Sequence, residues 1–177
     1  MNFDEDKLAH DNPQLDAWVE NKDGRVVCKG SLGIGSGPEP SYIRNLPLGD
    51  AHPEELRILS GLKNLVNLDP VEFLVEGDEE ILSPSTIYHQ LMMPFPKDSI
   101  AQPAVGFFGG TDIALHRGPI KGGMSYRKTA QIRSLGASPK TEFAWVDSWL
   151  HDADGNLVAE MRHMTRWMKV SSPLWQA

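Results

Sequence analysis

The last third of this 177-residue chain constrains its fold most, because apolar strand-like segments alternate there with short turns. Strands are predicted over residues 111–117, 125–135, 141–150 and 157–170. Asp154-Gly155 is a typical hairpin turn between the last two segments. Residues 141–150 place apolar side chains on both faces, which is typical of a central strand. We therefore expect an antiparallel sheet over residues 111–170.

A helix is predicted ahead of this sheet, over residues 53–66. Pro53 stands at its first position and two acidic residues follow in the first turn, which favours a helix start. Apolar residues then recur at helical spacing: Leu56, Leu59, Leu62, Leu65 and Val66. Gly61 interrupts this pattern, and we expect it to permit the close approach of another backbone. One buried helix followed by antiparallel strands predicts an α+β fold.

The rest of the chain is organised around shorter elements. Residues 1–12 are predicted to be a loose acidic tail, and residues 13–177 a single domain. A hairpin is predicted over residues 15–30, and a short helix is predicted to start at Ser83 and run to Met93. Residues 18–27 and 149–158 share the same spacing of Trp, Gly and apolar positions, which we interpret as shared hairpin chemistry.

The net charge of -7 conceals a division between the two halves of the chain. Residues 1–90 carry 17 acidic and 7 basic residues, whereas residues 91–177 carry 7 acidic and 10 basic residues. No acidic residue lies between Asp112 and Glu142, where six basic ones occur: Arg117, Lys121, Arg127, Lys128, Arg133 and Lys140. The acidic total argues against nucleic-acid binding. The basic stretch indicates a local anion site, a surface that meets the acidic half, or an ordinary solvated face.

Cysteine and histidine usage excludes several site classes. The single Cys28 allows neither an internal disulfide nor a multi-cysteine metal site. The six histidines lack metal-ligand spacing, so no metal is expected. The N-terminus does not resemble a signal peptide, and no apolar run approaches the roughly 20 residues of a membrane helix. A cytoplasmic protein without a membrane span is therefore expected.

The segment from His116 to Tyr126 (HRGPIKGGMSY) resembles the Gly/Pro-rich turn between central strands of the hotdog superfamily. More narrowly it is similar to MaoC-like acyl dehydratases, especially their N-terminal or non-catalytic halves, and the similarity covers residues 105–170. The resemblance implies a long helix wrapped by a curved antiparallel sheet, usually paired into dimers. It also implies a pocket for an acyl group on coenzyme A or a carrier protein. Coenzyme A would be part of the substrate, and no other cofactor is implied.

The catalytic run of active hydratases, Gly-Asp-x-Asn-Pro-x-His, is not evident. Asp11-Asn12-Pro13 imitates part of it, but Gln14 and Leu15 follow where a histidine is needed. Asp50 and His52, at the predicted helix start, are interpreted as an N-terminal cap. The resemblance therefore implies an enoyl-CoA hydratase or dehydratase, or a non-catalytic subunit that completes a catalytic hotdog partner.

Other functions remain open. An acyl-CoA thioesterase and a non-catalytic binder of a hydrophobic small molecule are the alternatives, and a cone-shaped fold of the steroid-isomerase type is the main alternative fold. A homodimer or higher oligomer is expected in the hotdog interpretation.

Candidate site residues come from the last two thirds of the chain. The catalytic candidates are His116, His89 and Asp112. Asp112 and His116 share a strand face but lie about 13 Å apart, too far for a dyad, so each needs a partner from elsewhere. For substrate binding we expect the phosphates of coenzyme A to contact basic and aromatic residues: Arg117, Tyr126, Arg127 and Lys128.

Overall fold

The computed structural model describes residues 2–3, 14–33, 41–48, 55–76 and 81–171. The chain forms two compact units, Met1–Tyr42 and Ile43–Ala177. A loose tail over residues 1–12 and a single domain over residues 13–177 stay predictions. Of the predicted tail, only residues 2 and 3 are described. The candidate residues Asp11, Asp50 and His52 lie outside the described part of the chain.

The first unit contains a small antiparallel sheet. Its strands are β1 (Asn2–Phe3), β2 (Gln14–Glu20) and β3 (Val26–Gly33), in the order β1-β2-β3. β2 and β3 form the hairpin predicted over residues 15–30. Val19, Val26 and Val27 are exposed on it.

The second unit is built on a five-stranded antiparallel sheet. Its strands are β4 (Asn67–Leu74), β5 (Val105–Leu115), β6 (Ser125–Ala137), β7 (Thr141–His151) and β8 (Leu157–Met168). Their order is β4-β6-β7-β8-β5, so β7 is the central strand that its sequence predicts. The last four strands match the predicted segments, although β5 begins at Val105 rather than at residue 111.

One face of this sheet carries the core, and we call it the inner face. The helix α2 (Pro84–Leu91) lies against β7 and β8, and the hydroxyl of Ser83 caps its N-terminus by accepting the N–H of Thr86 at 3.2 Å. The predicted start at Ser83 is therefore confirmed. The buried core cluster that includes residues of α2 consists of Val75, Ile87, Leu91, Ile120, Tyr126, Leu150, Val158, Ala159 and Met161.

The predicted helix over residues 53–66 is wrong for the described residues 55–66. The chain there makes turns and one short 3₁₀ segment, Ser60–Leu62. Leu56, Leu59 and Leu62 are nevertheless buried in the core, as their spacing predicts. A three-residue repeat suits successive turns as well as it suits a helix. The long helix of the hotdog interpretation is thus not found in this segment, and α2 is eight residues long.

The two similar hairpin segments share their turn geometry in detail. Asn21 Oδ1 accepts the backbone N–H groups two and four residues further on, both at 3.0 Å. Asp152 Oδ1 does the same at 3.0 and 2.8 Å. Gly24 and Gly155 follow with φ of +76° and +80°, in the region that favours glycine. The sequence similarity therefore corresponds to one turn type used twice.

Candidate functional site

Two adjoining grooves lie beside the turn between β7 and β8. They share Tyr126 and Asp152 as lining residues. The first, of about 630 Å³, is also lined by Arg127 and His151. The second, of about 360 Å³, is also lined by Arg117 and by residues 118–124 of the following turn. The chain segment that carries the hotdog resemblance thus forms much of this surface.

The charges around the two grooves favour an anion by a small margin. Arg117 and Arg127 are exposed, and Lys121 is half-buried. The acidic lining residues are Glu72 and Asp152. Hydrogen bonds from Asn156 lower the pKa of Asp152, and the positive charge of Arg117 lowers it further. Asp152 is therefore a fixed anion that opposes only part of the positive charge.

Tyr126 and Lys128 point into the protein. The Tyr126 hydroxyl accepts the backbone N–H of Lys121 at 3.1 Å and so holds the turn that borders the second groove. Lys128 is 7% exposed, and its Nζ donates to the Met92 carbonyl at 2.6 Å, at the C-terminal end of α2. Its ammonium also lies 5.3 Å from the centre of the Phe73 ring. Burial lowers the pKa of Lys128, and its contacts place it away from Arg127.

The three catalytic candidates are not brought together. Asp112 accepts from Arg44 Nε at 2.9 Å, whereas His116 Nε2 lies 3.3 Å from Glu160. Arg44 also contacts Glu160 at 3.3 Å, so an arginine and a glutamate separate the two candidates. His89 is exposed on α2, with its ring 5.2 Å from that of Tyr88. The sequence gives no signal for Arg44, which comes from a distant segment.

A buried ion pair between Arg162 and Asp147 lies next to Arg44. Arg162 Nε and Nη2 each donate to a different carboxylate oxygen of Asp147 at 2.7 Å. These hydrogen bonds to Asp147 raise the pKa of Arg162. Arg162 Nη1 also donates to the backbone carbonyl of Arg44 at 3.1 Å. This cluster fastens Arg44, in α1 (Tyr42–Asn45), to β7 and β8.

A second cluster lies on the inner face between α2, β5 and β8. We call Tyr88, Phe108 and His163 the aromatic triangle, because each ring stands edge-on to the other two with centroids 5.4 to 5.5 Å apart. His163 is 3% exposed, and its Nδ1 lies 2.8 Å from Thr111 Oγ1. Burial lowers the pKa of His163, and the backbone of Gly110 opposes this shift in part. His163 is therefore a neutral imidazole near pH 7.

Two polar atoms of the triangle have no hydrogen-bond partner in the described part of the chain. They are His163 Nε2 and the Tyr88 hydroxyl, and both atoms are buried. Unsatisfied buried polar atoms are uncommon and often mark functional positions. Beside them the register of β5 against β8 shifts between Phe108 and Gly110. Such a bulge re-aims side chains, and Phe108 is 67% exposed here.

His163 was missed as a candidate, although the sequence contains a signal for it. In the predicted last strand it shares the odd-numbered face with Leu157, Ala159 and Met161. A histidine in the apolar face of a strand must be buried, and its ring nitrogens then need partners. Tyr88 has no comparable signal, because a tyrosine on a short helix is ordinary.

A metal site and a membrane-spanning helix each place requirements on the described residues. Those residues include no group of three His, Cys, Asp or Glu side chains that could hold a metal ion. Nor does any helix among them have the length and apolar character needed to cross a bilayer.

Comparisons with known proteins give only distant similarity. No protein-family profile matches this chain, and no curated protein matches it. The crystal structure of thioesterase superfamily member 2 from Mus musculus is similar over 68% of this chain and 80% of that chain, with 20% identity and a TM-score of 0.40. A Thermus thermophilus hypothetical protein, described as a thioesterase superfamily member, is similar over 68% and 84%, with 12% identity and a TM-score of 0.38. At these values neither structure assigns a family or an activity to this chain.

Proposed function

We propose that this protein is a hotdog-type domain that binds an acyl thioester of coenzyme A or of a carrier protein. The observation that carries the proposal is the position of Arg117 and Arg127. Both belong to, or directly follow, the segment that resembles hotdog proteins, and they line two grooves that share Tyr126. Guanidinium groups bind phosphates in bidentate fashion, and coenzyme A carries a diphosphate and a 3′-phosphate.

The fold supports the proposal. A five-stranded antiparallel sheet packs against a helix that lies between its first two strands in the chain, β4 and β5. The core beside α2 includes Tyr126, so an apolar region adjoins the arginine-lined surface. An acyl chain and an anionic carrier would then meet different parts of one site. Lys128 is left out of this site, because it is buried against the end of α2.

The oligomer expected from the sequence belongs to the same proposal. β5 is an edge strand of eleven residues, and several apolar side chains are exposed along it: Val105, Phe107, Phe108 and Leu115. A long apolar edge strand favours pairing with another chain. A homodimer is therefore our preferred state, and the cytoplasmic location expected from the sequence belongs to the same proposal.

Calorimetry with butyryl-CoA tests the assignment. Replacing Arg117 and Arg127 together with alanine should weaken binding by at least about tenfold, since hydrogen bonds to charged groups contribute roughly 1.5–3 kcal/mol. Arg25→Ala is the matched control, because Arg25 is an exposed arginine in the turn of the first unit. Butyryl-pantetheine, which lacks the nucleotide phosphates, should lose less affinity from the double substitution. Equal affinity of the double variant and the native chain for butyryl-CoA would refute the proposal.

Activity assays distinguish the three functions that the sequence leaves open: a thioesterase, a hydratase and a non-catalytic binder. A thioesterase releases a free thiol from butyryl-CoA, and a hydratase removes the enoyl absorbance of crotonyl-CoA. A non-catalytic binder shows neither activity, but its own melting temperature still rises when the ligand is added.

A further inference from the structure

We propose that the aromatic triangle is a catalytic site for ester or thioester hydrolysis, with His163 as general base and Tyr88 as the hydrogen-bond donor to the carbonyl oxygen. For a natural thioester substrate the inference rests on the proposed function, whereas the chemistry extends to any uncharged ester of similar size.

His163 has the arrangement that a general base requires. One ring nitrogen, Nδ1, is held by the Thr111 hydroxyl at 2.8 Å, and the other, Nε2, is buried without a protein partner in the described residues. When the hydroxyl oxygen of Thr111 accepts from Nδ1–H, the lone pair of Nε2 is directed away from Thr111. A base held by a third group in this way is the common design of nucleophile activation.

Tyr88 supplies a complementary group. Its ring centroid lies 5.4 Å from that of His163, and its hydroxyl is buried without a partner among the described residues. Burial raises the pKa of Tyr88, so the hydroxyl keeps its proton at neutral pH and can donate it in a hydrogen bond. A fixed donor in a buried site stabilises the negative charge that develops on a carbonyl oxygen.

The step balances with water as the co-reactant. The water oxygen attacks the carbonyl carbon, and its proton passes to His163 Nε2. The carbonyl oxygen becomes an oxyanion that accepts from the Tyr88 hydroxyl. Collapse of this intermediate breaks the carbon–sulfur bond, and the proton on Nε2 passes to the departing thiolate. The products are a carboxylic acid and a free thiol, and His163 returns to its neutral form.

Access to the triangle is through β5. The bulge at Gly109 lies directly beside Phe108, and Phe108 is the exposed corner of the triangle. A Cβ added at Gly109 would meet the end of the Met164 side chain, so a larger residue at the bulge would require Met164 to shift. Catalysis requires that the Phe108 side chain rotate away from the triangle to admit substrate to Nε2 and the Tyr88 hydroxyl. The alternative explanation is that the three rings only pack together and stabilise the fold. In that case neither His163 Nε2 nor the Tyr88 hydroxyl has a role.

Tyr88→Phe separates the two explanations. The substitution removes only an oxygen that has no protein partner, so packing predicts an unchanged or higher melting temperature and no other effect. The catalytic proposal predicts the same melting temperature but a loss of hydrolysis. His163→Gln and Thr111→Val test the base and its positioning residue. Lys97→Gln is the control, because Lys97 is exposed in the turn that follows α2.

The assay uses p-nitrophenyl butyrate, which lacks phosphates, beside butyryl-CoA. Tyr88→Phe and His163→Gln should each lower kcat for nitrophenolate release by about 100-fold, the usual scale for one acid–base group. Lys97→Gln should keep the native rate. The proposal is overturned if the native protein hydrolyses neither compound, or if Tyr88→Phe retains the native rate. Butyryl-CoA binding measured by calorimetry would survive either result, so the two proposals fail separately.

Discussion

At the residue scale, position 61 has room only for the hydrogen of glycine. A Cβ there would lie 2.6 Å from the backbone oxygen of Ser99 and 2.9 Å from its Cα. Backbone atoms cannot move aside as a flexible side chain can, so Gly61→Ala must displace one of the two segments. We expect a loss of about 1–3 kcal/mol in the free energy of unfolding, measured by denaturant titration.

Gly30→Ala is the control for this prediction. Nothing lies within 4 Å of a Cβ built at Gly30, which is an exposed residue of β3. Its effect should stay within about 0.5 kcal/mol, as for other surface substitutions. If Gly61→Ala were equally harmless, the two segments would not be in the close contact described.

Gly61 and His163 show which properties of single residues can be predicted from the sequence. The expectation that Gly61 admits another backbone is confirmed by its contact with Ser99, although the element around it is not a helix. His163 was identifiable as buried from its alternation with apolar residues. Its partners Tyr88 and Thr111 were not, because they lie 75 and 52 residues away in sequence and meet it only when α2 and β5 pack beside β8.

At the element scale, Glu142 fastens the segment around residues 57–59 to β7. Its side chain is fully buried, and its two oxygens accept the backbone N–H groups of Arg57 and Leu59, each at 2.9 Å. Glu142→Gln retains one acceptor but turns an amide N–H₂ toward the other donor. Leaving a buried backbone N–H without an acceptor costs about 1–3 kcal/mol. We expect that loss in the free energy of unfolding.

Glu55→Gln is the matched control for Glu142→Gln. Glu55 belongs to the same stretch of chain and is exposed. Hydrogen exchange at the amides of Arg57 and Leu59 should accelerate in Glu142→Gln and stay unchanged in Glu55→Gln. Unchanged protection of these amides in Glu142→Gln would contradict the role assigned to the carboxylate.

The contact of Glu142 with residues 57–59 also shows why some elements could be predicted from local sequence and others could not. The strands from β5 to β8 and the start of α2 follow local patterns, apolar alternation, turn residues and a serine cap, and all were predictable. The conformation of residues 55–62 depends on a carboxylate more than 80 residues further along the chain. Leucine spacing reports burial there and carries no information about that distant acceptor, so a helix was predicted where turns occur.

At the scale of the whole molecule, the ion pairs do not join the acidic residues of the first half to the basic residues of the second. Arg44, a base of the acidic half, contacts Asp112 and Glu160, two acids of the basic half. Asp147, another acid of the basic half, pairs with Arg162 and lies 3.5 Å from Arg133. Among the described residues, the acidic partners of the arginines are thus Asp112, Asp147 and Glu160, all from the second half of the chain. Within the described part of the chain Arg117 and Arg127 form no ion pair with another side chain, which suits residues proposed to meet an external anion.

The buried imidazole of His163 should make the stability of the whole molecule depend on pH. Its pKa is lowered by burial in the folded protein, whereas the unfolded chain has the ordinary value of 6.5. The unfolded state therefore takes up a proton first as the pH falls. The stability due to neutral His163 is complete above about pH 6.5 and is lost progressively below it, by at most about 1.4 kcal/mol for each pH unit.

Denaturant titrations at pH 7.5 and 5.5 measure this slope. Replacing His163 with glutamine removes the titrating group, so His163→Gln should lose less stability than the native chain between the two pH values. Tyr88→Phe keeps the imidazole and should keep the native slope, and the titrating carboxylates are common to all three proteins. An equal slope in His163→Gln and the native chain would mean that the folded protein accepts a proton on His163 as readily as the unfolded chain. The neutral base required for hydrolysis at the aromatic triangle would then be lost at the same pH as an ordinary surface histidine.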